Sequence, residues 1–267
     1  MTAASPQHGV LLEVAYDGTN FSGWATQPGR RTVQETLDGA IRALDPNATA
    51  ARGTSRTDAG VHAQGQRVAF EASLPLPPRG WVLALNSHLP DDVAVRSACS
   101  IVTVYNPRFL SKKKRYCYRL LLDRVRDPLL HNRAWRIGWP LDLEKMNREA
   151  ACITGTHDFG AFRSAHDERA ETVRTIMRSE ITRENERIMS FVIEGNAFMY
   201  NMVRILTGTL VDVGRSKLPE GAITRALQNP LREEGRKLAG MTAPAHGLTL
   251  EKIDLDLPEG VSESWPR

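Results

Sequence analysis

Cysteine is scarce in this chain. Three residues (Cys99, Cys117 and Cys152) are spread over 267 positions, with no pair at metal-ligand spacing. An odd, scattered set gives neither a disulfide framework nor a zinc cluster, and it predicts a reducing compartment. Long apolar runs are also missing. Nothing approaches the roughly 18 consecutive apolar residues of a membrane span. Residues 1–8 are polar and lack the apolar core of a secretory signal, so a frayed tail and a cytoplasmic protein are expected. No phosphate-binding glycine pattern, GxxxxGK[ST] or GxGxxG, occurs, which removes the usual case for a nucleotide cofactor. There is no HExxH, and a metal is not expected at Asp58/His62 or His157/Asp158. Low-complexity tracts are absent.

What is present is ordinary globular composition with 41% hydrophobic residues, 25% charged residues and a formal net charge of +4. Mild basicity permits a nucleic-acid partner without requiring one. Taken in order, residues 9–17 read as a strand. Thr32 and Glu35 have capping-box spacing and start a helix that runs to Leu44. Strands are expected at 48–55, 66–72 and 93–98, with a helix introduced by Pro77 and Pro78 before the last. The second half repeats the order: strand 116–122, a long connection holding Trp135 and Trp139, a helix from the Asp142 cap to about 153, strands 173–181 and 187–194, helices 198–213 and 220–228, and strand 248–255. Each half is therefore β-α-β-β-α-β, the order of ferredoxin-like units. The prediction is an α+β chain whose two halves, 9–106 and 107–257, merge into one mainly antiparallel sheet. Helices pack on one face, a cleft lies at the centre, and 258–267 form a tail.

The chemistry concentrates in Ser55-Arg56-Thr57-Asp58-Ala59-Gly60-Val61-His62-Ala63. A cation, a hydroxyl and a carboxylate stand beside small residues between two strands, which suits a loop presenting Asp58 in a cleft. The same residues also suit an ordinary turn in which Asp58 caps its own backbone. Residues 198–213 are apolar nearly all round apart from Arg204. A cation so placed needs an anion, either a core carboxylate or Asp58 itself. Lys112-Lys113-Lys114-Arg115 precedes Tyr116 and follows Arg108-Phe109. The loop 156–172 holds His157, Phe162, Arg163, His166 and Arg169. Cations beside rings suit phosphate neutralisation and base stacking on unpaired RNA.

These blocks resemble the TruA family of tRNA pseudouridine synthases from about residue 10 to 256. The resemblance rests on Arg56-Thr57-Asp58-Ala59-Gly60-Val61-His62-Ala63, with Tyr16-Asp17-Gly18, Val33-Gln34-Glu35, Arg115-Tyr116 with Tyr118, His157-Asp158-Phe159, Asn201-Met202-Val203-Arg204 and Thr242 to Leu248. It implies an isomerase, free of cofactor and metal, that acts as a homodimer on uridines 38, 39 and 40 of the tRNA anticodon stem-loop. It implies that Asp58 starts glycosidic-bond isomerisation, that Arg204 pairs with it, and that Tyr116 packs against the target base. Arg56 would assist base flipping, with Arg108, Phe109, Lys112, His166, Arg169 and Leu248 also meeting the RNA. Ser55 and Thr249 depart from the family pattern. A binding protein that kept the scaffold, or a synthase for another uridine or RNA, are the competing readings. Asp58 could attack the base, attack the ribose or first abstract a ribose proton, and the residues leave all three open.

Overall fold

The computed structural model describes residues 8–101, 106–164, 167, 170–257 and 261. The chain divides into two compact units. One ends at Lys112 and regains the chain from Leu250 onward; the other is Lys113–Thr249.

In the first unit β1 (His8–Tyr16) leads to α1 (Val33–Leu44), β2 (Arg52–Gly53), β3 (His62–Ala72), α2 (Pro78–Asn86) and β4 (Val93–Ile101). The strands lie in the order β4-β1-β3, and β1 is antiparallel to both neighbours. The last strand of the chain, β10 (Leu248–Leu255), runs beside β3, and the short β2 also pairs with β3. Helix α1 begins where the capping box predicts, with the Thr32 side chain accepting from the Glu35 N–H. Val33, Leu37, Ala40 and Ile41 of α1 are buried, as are Trp81 and Leu85 of α2. Trp81 meets the edge of Phe70 on β3 with ring centres 5.3 Å apart. Each such apolar side chain contributes about 1.5–3 kcal/mol by leaving water.

Strand β3 starts at His62, four residues earlier than expected, and β2 keeps only two residues of the strand expected over 48–55. The reason for the short β2 is that its flank is tied by side chains. The Ala51 N–H donates to Asp38 Oδ1 at 2.7 Å, and Thr49 Oγ1 donates to Glu71 Oε2 at 2.6 Å.

In the second unit the strands are β5 (Ser111–Leu122), β6 (Trp135–Ile137), β7 (Gly155–Asp158), β8 (Val173–Arg183) and β9 (Ile188–Gly195). Their order is β5-β9-β8-β7, antiparallel throughout, with β6 joined in parallel to the end of β5. The helices are α3 (Leu143–Ala151), capped by Asp142 as expected, α4 (Met202–Gly214), α5 (Ala222–Gln228) and α6 (Arg232–Leu238). The pattern of α4 is fulfilled: every residue in it is buried except Arg204, which is half-buried. It begins four residues later than expected, because Asn201 takes a left-handed φ of 62° that ends the preceding turn. The architecture is α+β with mainly antiparallel strands, as the element order predicts. Among the described residues no helix is long and apolar enough to cross a membrane.

Candidate active site

Loop 55–61 is held from within the first unit by groups distant in sequence. The side-chain amide of Gln66, wholly buried on β3, accepts from the Ser55 N–H at 3.1 Å and donates to the Ser55 carbonyl at 2.6 Å. Two residues on, Thr57 Oγ1 lies 2.8 Å from the Tyr16 hydroxyl. The β1–β3 register shifts between Val14 and Tyr16. A shift of this kind re-aims a strand-end side chain, and here Tyr16 reaches the loop. The Trp24 N–H donates to the Thr57 carbonyl at 3.0 Å, and the Gly60 N–H donates to the Phe21 carbonyl at 3.3 Å. Ser55 and Thr57 are thereby buried, Asp58 is half-buried, and Arg56 and Ala59 face solvent.

Two glycines make this closeness possible. At Gly23, with φ of +99°, an added Cβ would lie 2.8 Å from the Thr57 carbonyl oxygen. At Gly18 it would lie 2.0 Å from that of Val61. Neither position admits a side chain without moving the loop.

His62 is committed to this frame. Its Nδ1 lies 3.1 Å from both the Gly18 N–H nitrogen and Asp17 Oδ1, and the ring is almost fully buried. Asp17 in turn accepts from Thr19. His62 is thus a brace of the 17–19 turn.

In the second unit, Arg204 is aimed by two acceptors. Its Nε donates to the Ala243 carbonyl at 2.8 Å and its Nη1 to Asn201 Oδ1 at 2.7 Å. The Ala243 N–H returns a bond to the Arg204 carbonyl. The 241–243 backbone passes so close to α4 that a Cβ at Gly208 would meet the Met241 carbonyl oxygen at 1.8 Å. Tyr116 is buried on β5 and meets the edge of Phe198, ring centres 5.1 Å apart. Tyr118, two residues along on the same strand face, donates its hydroxyl to the Pro244 carbonyl at 2.7 Å. Burial pushes the Tyr118 phenol far above its ordinary value, against the pull of the nearby Arg204 charge, so it stays a neutral donor. Leu248 follows this segment and is buried at the start of β10.

The other expected RNA contacts divide. Arg108 is exposed and Phe109 is 82% exposed, an unusual display for a large ring. The basic run does not precede its strand but lies inside β5, where alternation sends neighbours to opposite faces. Lys112 pairs with Asp256 at 2.6 Å, and Lys113 pairs with Glu194 at 2.8 Å. Arg115 stands opposite Glu194 across the strands, 3.8 Å from its carboxylate. The run is therefore partly neutralised by the protein. In the 156–172 loop, Phe162 is fully buried beside Phe159 and is unavailable as a stacking platform. His157 belongs to β7 and contacts the Thr154 carbonyl. His166 and Arg169 lie outside the described residues.

Gln66, Tyr16, Asn201 and Tyr118 were not expected as site residues. Gln66 carried a signal: it occupies the inward register shared with Val68 and Phe70, where a polar side chain needs a buried partner. Asn201 and residues 243–244 lie in blocks that carry the family resemblance, but nothing in their residue types marks them as the acceptors that aim Arg204 and Tyr118.

Residues 13–109 and 150–256 match the family model described as tRNA pseudouridine synthase. Curated relatives are similar over nearly their full length. The tRNA pseudouridine synthase A of Geobacter sp. (strain M21) is 39% identical over 91% of this chain and 97% of its own. That of Thermoanaerobacter sp. (strain X514) is 40% identical over 91% and 98%. That of Halalkalibacterium halodurans is 40% identical over 89% of each chain. With the braced aspartate loop, these matches place the chain in the tRNA pseudouridine synthase family, as an isomerase that acts on tRNA.

Proposed function

We propose that this enzyme isomerises uridine to pseudouridine at positions 38, 39 and 40 of the tRNA anticodon stem-loop, as a cytoplasmic homodimer, with Asp58 as the nucleophile. The observation that carries the reading is the bracing of the Asp58 loop. Gln66, Tyr16 and the Trp24 N–H hold its neighbours at fixed distances while Asp58 itself stays half-exposed. A nucleophile gains most when its approach is set before the substrate arrives.

In this reading the uridine leaves the helical stack, because a paired base cannot turn about its ribose. Asp58 opens the reaction. The bond from ribose to N1 breaks, the uracil turns, and a bond to C5 replaces it; C5 gives up a proton and N1 gains one, so composition is unchanged. Arg204 is the cationic partner that keeps the carboxylate ionised. Its aim by the Ala243 carbonyl and Asn201 supports that role, since a fixed guanidinium loses less freedom on pairing. Tyr116 packs on the base, a role supported by its fixed edge contact with Phe198. Arg56, Arg108 and Phe109 meet the flipped strand, supported by their exposure. Lys112, His166, Arg169 and Leu248 complete the RNA contacts, and the two halves each contribute part of the machinery. The experiment is pseudouridine mapping of tRNA from a deletion strain carrying either the wild-type chain or Asp58→Asn. Restoration at 38–40 by the wild type alone is expected, and modification by Asp58→Asn would overturn the assignment.

A further inference from the structure

The connection 123–140 falls between the two stretches that match the family model, and none of the roles above uses it. It is a fixed structure. Strand β6 pairs with β5, and Asp123 and Asp127 accept from the Val125 and Leu129 N–H groups at 2.8 and 3.0 Å. Both carboxylates are also taken by one cation, Arg187, at 2.9 and 3.0 Å. Their charge is answered by a cation from the turn between β8 and β9, outside the segment.

The opposite charge is not. Arg124, Arg126 and Arg136 are exposed, and among the described residues no carboxylate lies within ion-pair distance of them. Arg136 Nη1 donates to the Arg124 carbonyl at 3.0 Å, which holds the Arg136 side chain against the backbone of residue 124. Arg124 borders a shallow recess of about 200 Å³, lined also by Asp123, Ile137, Trp139 and Pro140. Trp139 is 46% exposed, and the Arg215 guanidinium lies 5.2 Å from its ring centre.

Exposed guanidinium groups without a direct ion pair, with an exposed indole on the same segment, match a polyanion that carries aromatic rings. We propose that this face is an accessory tRNA surface: Arg124, Arg126 and Arg136 take backbone phosphates and Trp139 stacks on an unpaired base. The inference rests on tRNA being the substrate but not on Asp58 being the nucleophile. The face adds affinity and leaves the chemical step alone.

The test uses the full chain and a labelled tRNA transcript. In the triple variant Arg124→Gln/Arg126→Gln/Arg136→Gln, Kd rises about ten-fold near 0.1 M salt, and the log–log salt slope falls by about 3, close to one per lost phosphate contact. Turnover at saturating tRNA is unchanged. The matching triple Lys variant keeps the slope. Trp139→Ala raises Kd without changing the slope, and Trp139→Phe restores affinity, which separates stacking from charge. Unchanged Kd and slope in the Gln variant would reduce the face to a solvated surface and overturn the proposal. So would an unchanged Kd accompanied by a shift in oligomeric mass by light scattering, which would assign the face to a protein contact. Binding measured in the Asp58→Asn background separates this proposal from the nucleophile assignment: turnover by that variant counts against Asp58, and a flat salt response counts against the arginines.

Discussion

Loops 55–62 and 156–162 look alike in the sequence. Each sets a carboxylate beside small residues and a histidine. In the first, Ser55 and Thr57 are drawn inward by Gln66 and Tyr16, and the aspartate that follows them is left half-exposed on its unit. In the second, Phe159 and Phe162 are drawn inward by the core, and Asp158 accepts from the Gly160 N–H of its own loop at 2.9 Å. The difference teaches that composition does not make a presenting loop. What matters is whether distant polar groups hold the backbone or whether the loop's own rings anchor it.

The sharpest way to break that comparison is to neutralise each carboxylate. Asp58→Asn abolishes pseudouridine formation and leaves tRNA affinity within a few-fold. Asp158→Asn keeps turnover and costs at most about 1 kcal/mol, the worth of one loop hydrogen bond. Turnover and chemical denaturation measure the two arms. Next in size is the ring anchor. Phe162→Ala leaves a cavity in the second unit and lowers stability by about 3–5 kcal/mol, read as a shift in denaturant midpoint. The salt dependence of tRNA binding stays as in the wild type; a flattened slope would return Phe162 to the RNA surface.

A smaller effect is expected at the polar brace. Tyr16→Phe removes the hydroxyl bonded to Thr57 and costs about 1 kcal/mol of stability. Because Thr57 adjoins Asp58, kcat falls while KM for tRNA holds; a change in KM alone would make the tyrosine a binding residue. Smallest is the support behind β2. Arg52 donates to Glu71, which holds the Glu71 carboxyl below its ordinary value despite partial burial. A lowered folded value adds stability that is present above the unfolded carboxyl range and lost as pH falls through the folded value. Glu71→Gln therefore lowers Tm at pH 7, and the gap to the wild type closes below about pH 4. A gap that persists in acid would mean that the effect is packing alone.

Much of the fold was legible. The Thr32 and Asp142 caps, the Pro77-Pro78 helix start, and the strands at 93, 173 and 248 all follow from local pattern. What escaped depends on partners far away. Strand β5 extends back through four cations because Glu194 stands across from Arg115 and Lys113 reaches it too, and no property of residues 111–115 announces that carboxylate. Strand β7 and helix α6 are short elements that local pattern did not mark. Within the site, Asp58, Tyr116 and Arg204 stood out by chemical type. Asn201 and residues 243–244 were noticed only as parts of resemblance blocks, since a backbone acceptor's role leaves no mark on residue identity.

Gly18, Gly23, Tyr16 and Gln66 have one more consequence. The instructions for the aspartate loop are written over some fifty positions, from the end of β1 to the middle of β3. The nine residues 55–63 are therefore not a transferable part. Grafted onto another hairpin they would carry the carboxylate but leave behind its clamp, its hydroxyl stop and the two gaps into which it fits. Anyone moving this chemistry to a new scaffold must move the first half of the sheet with it.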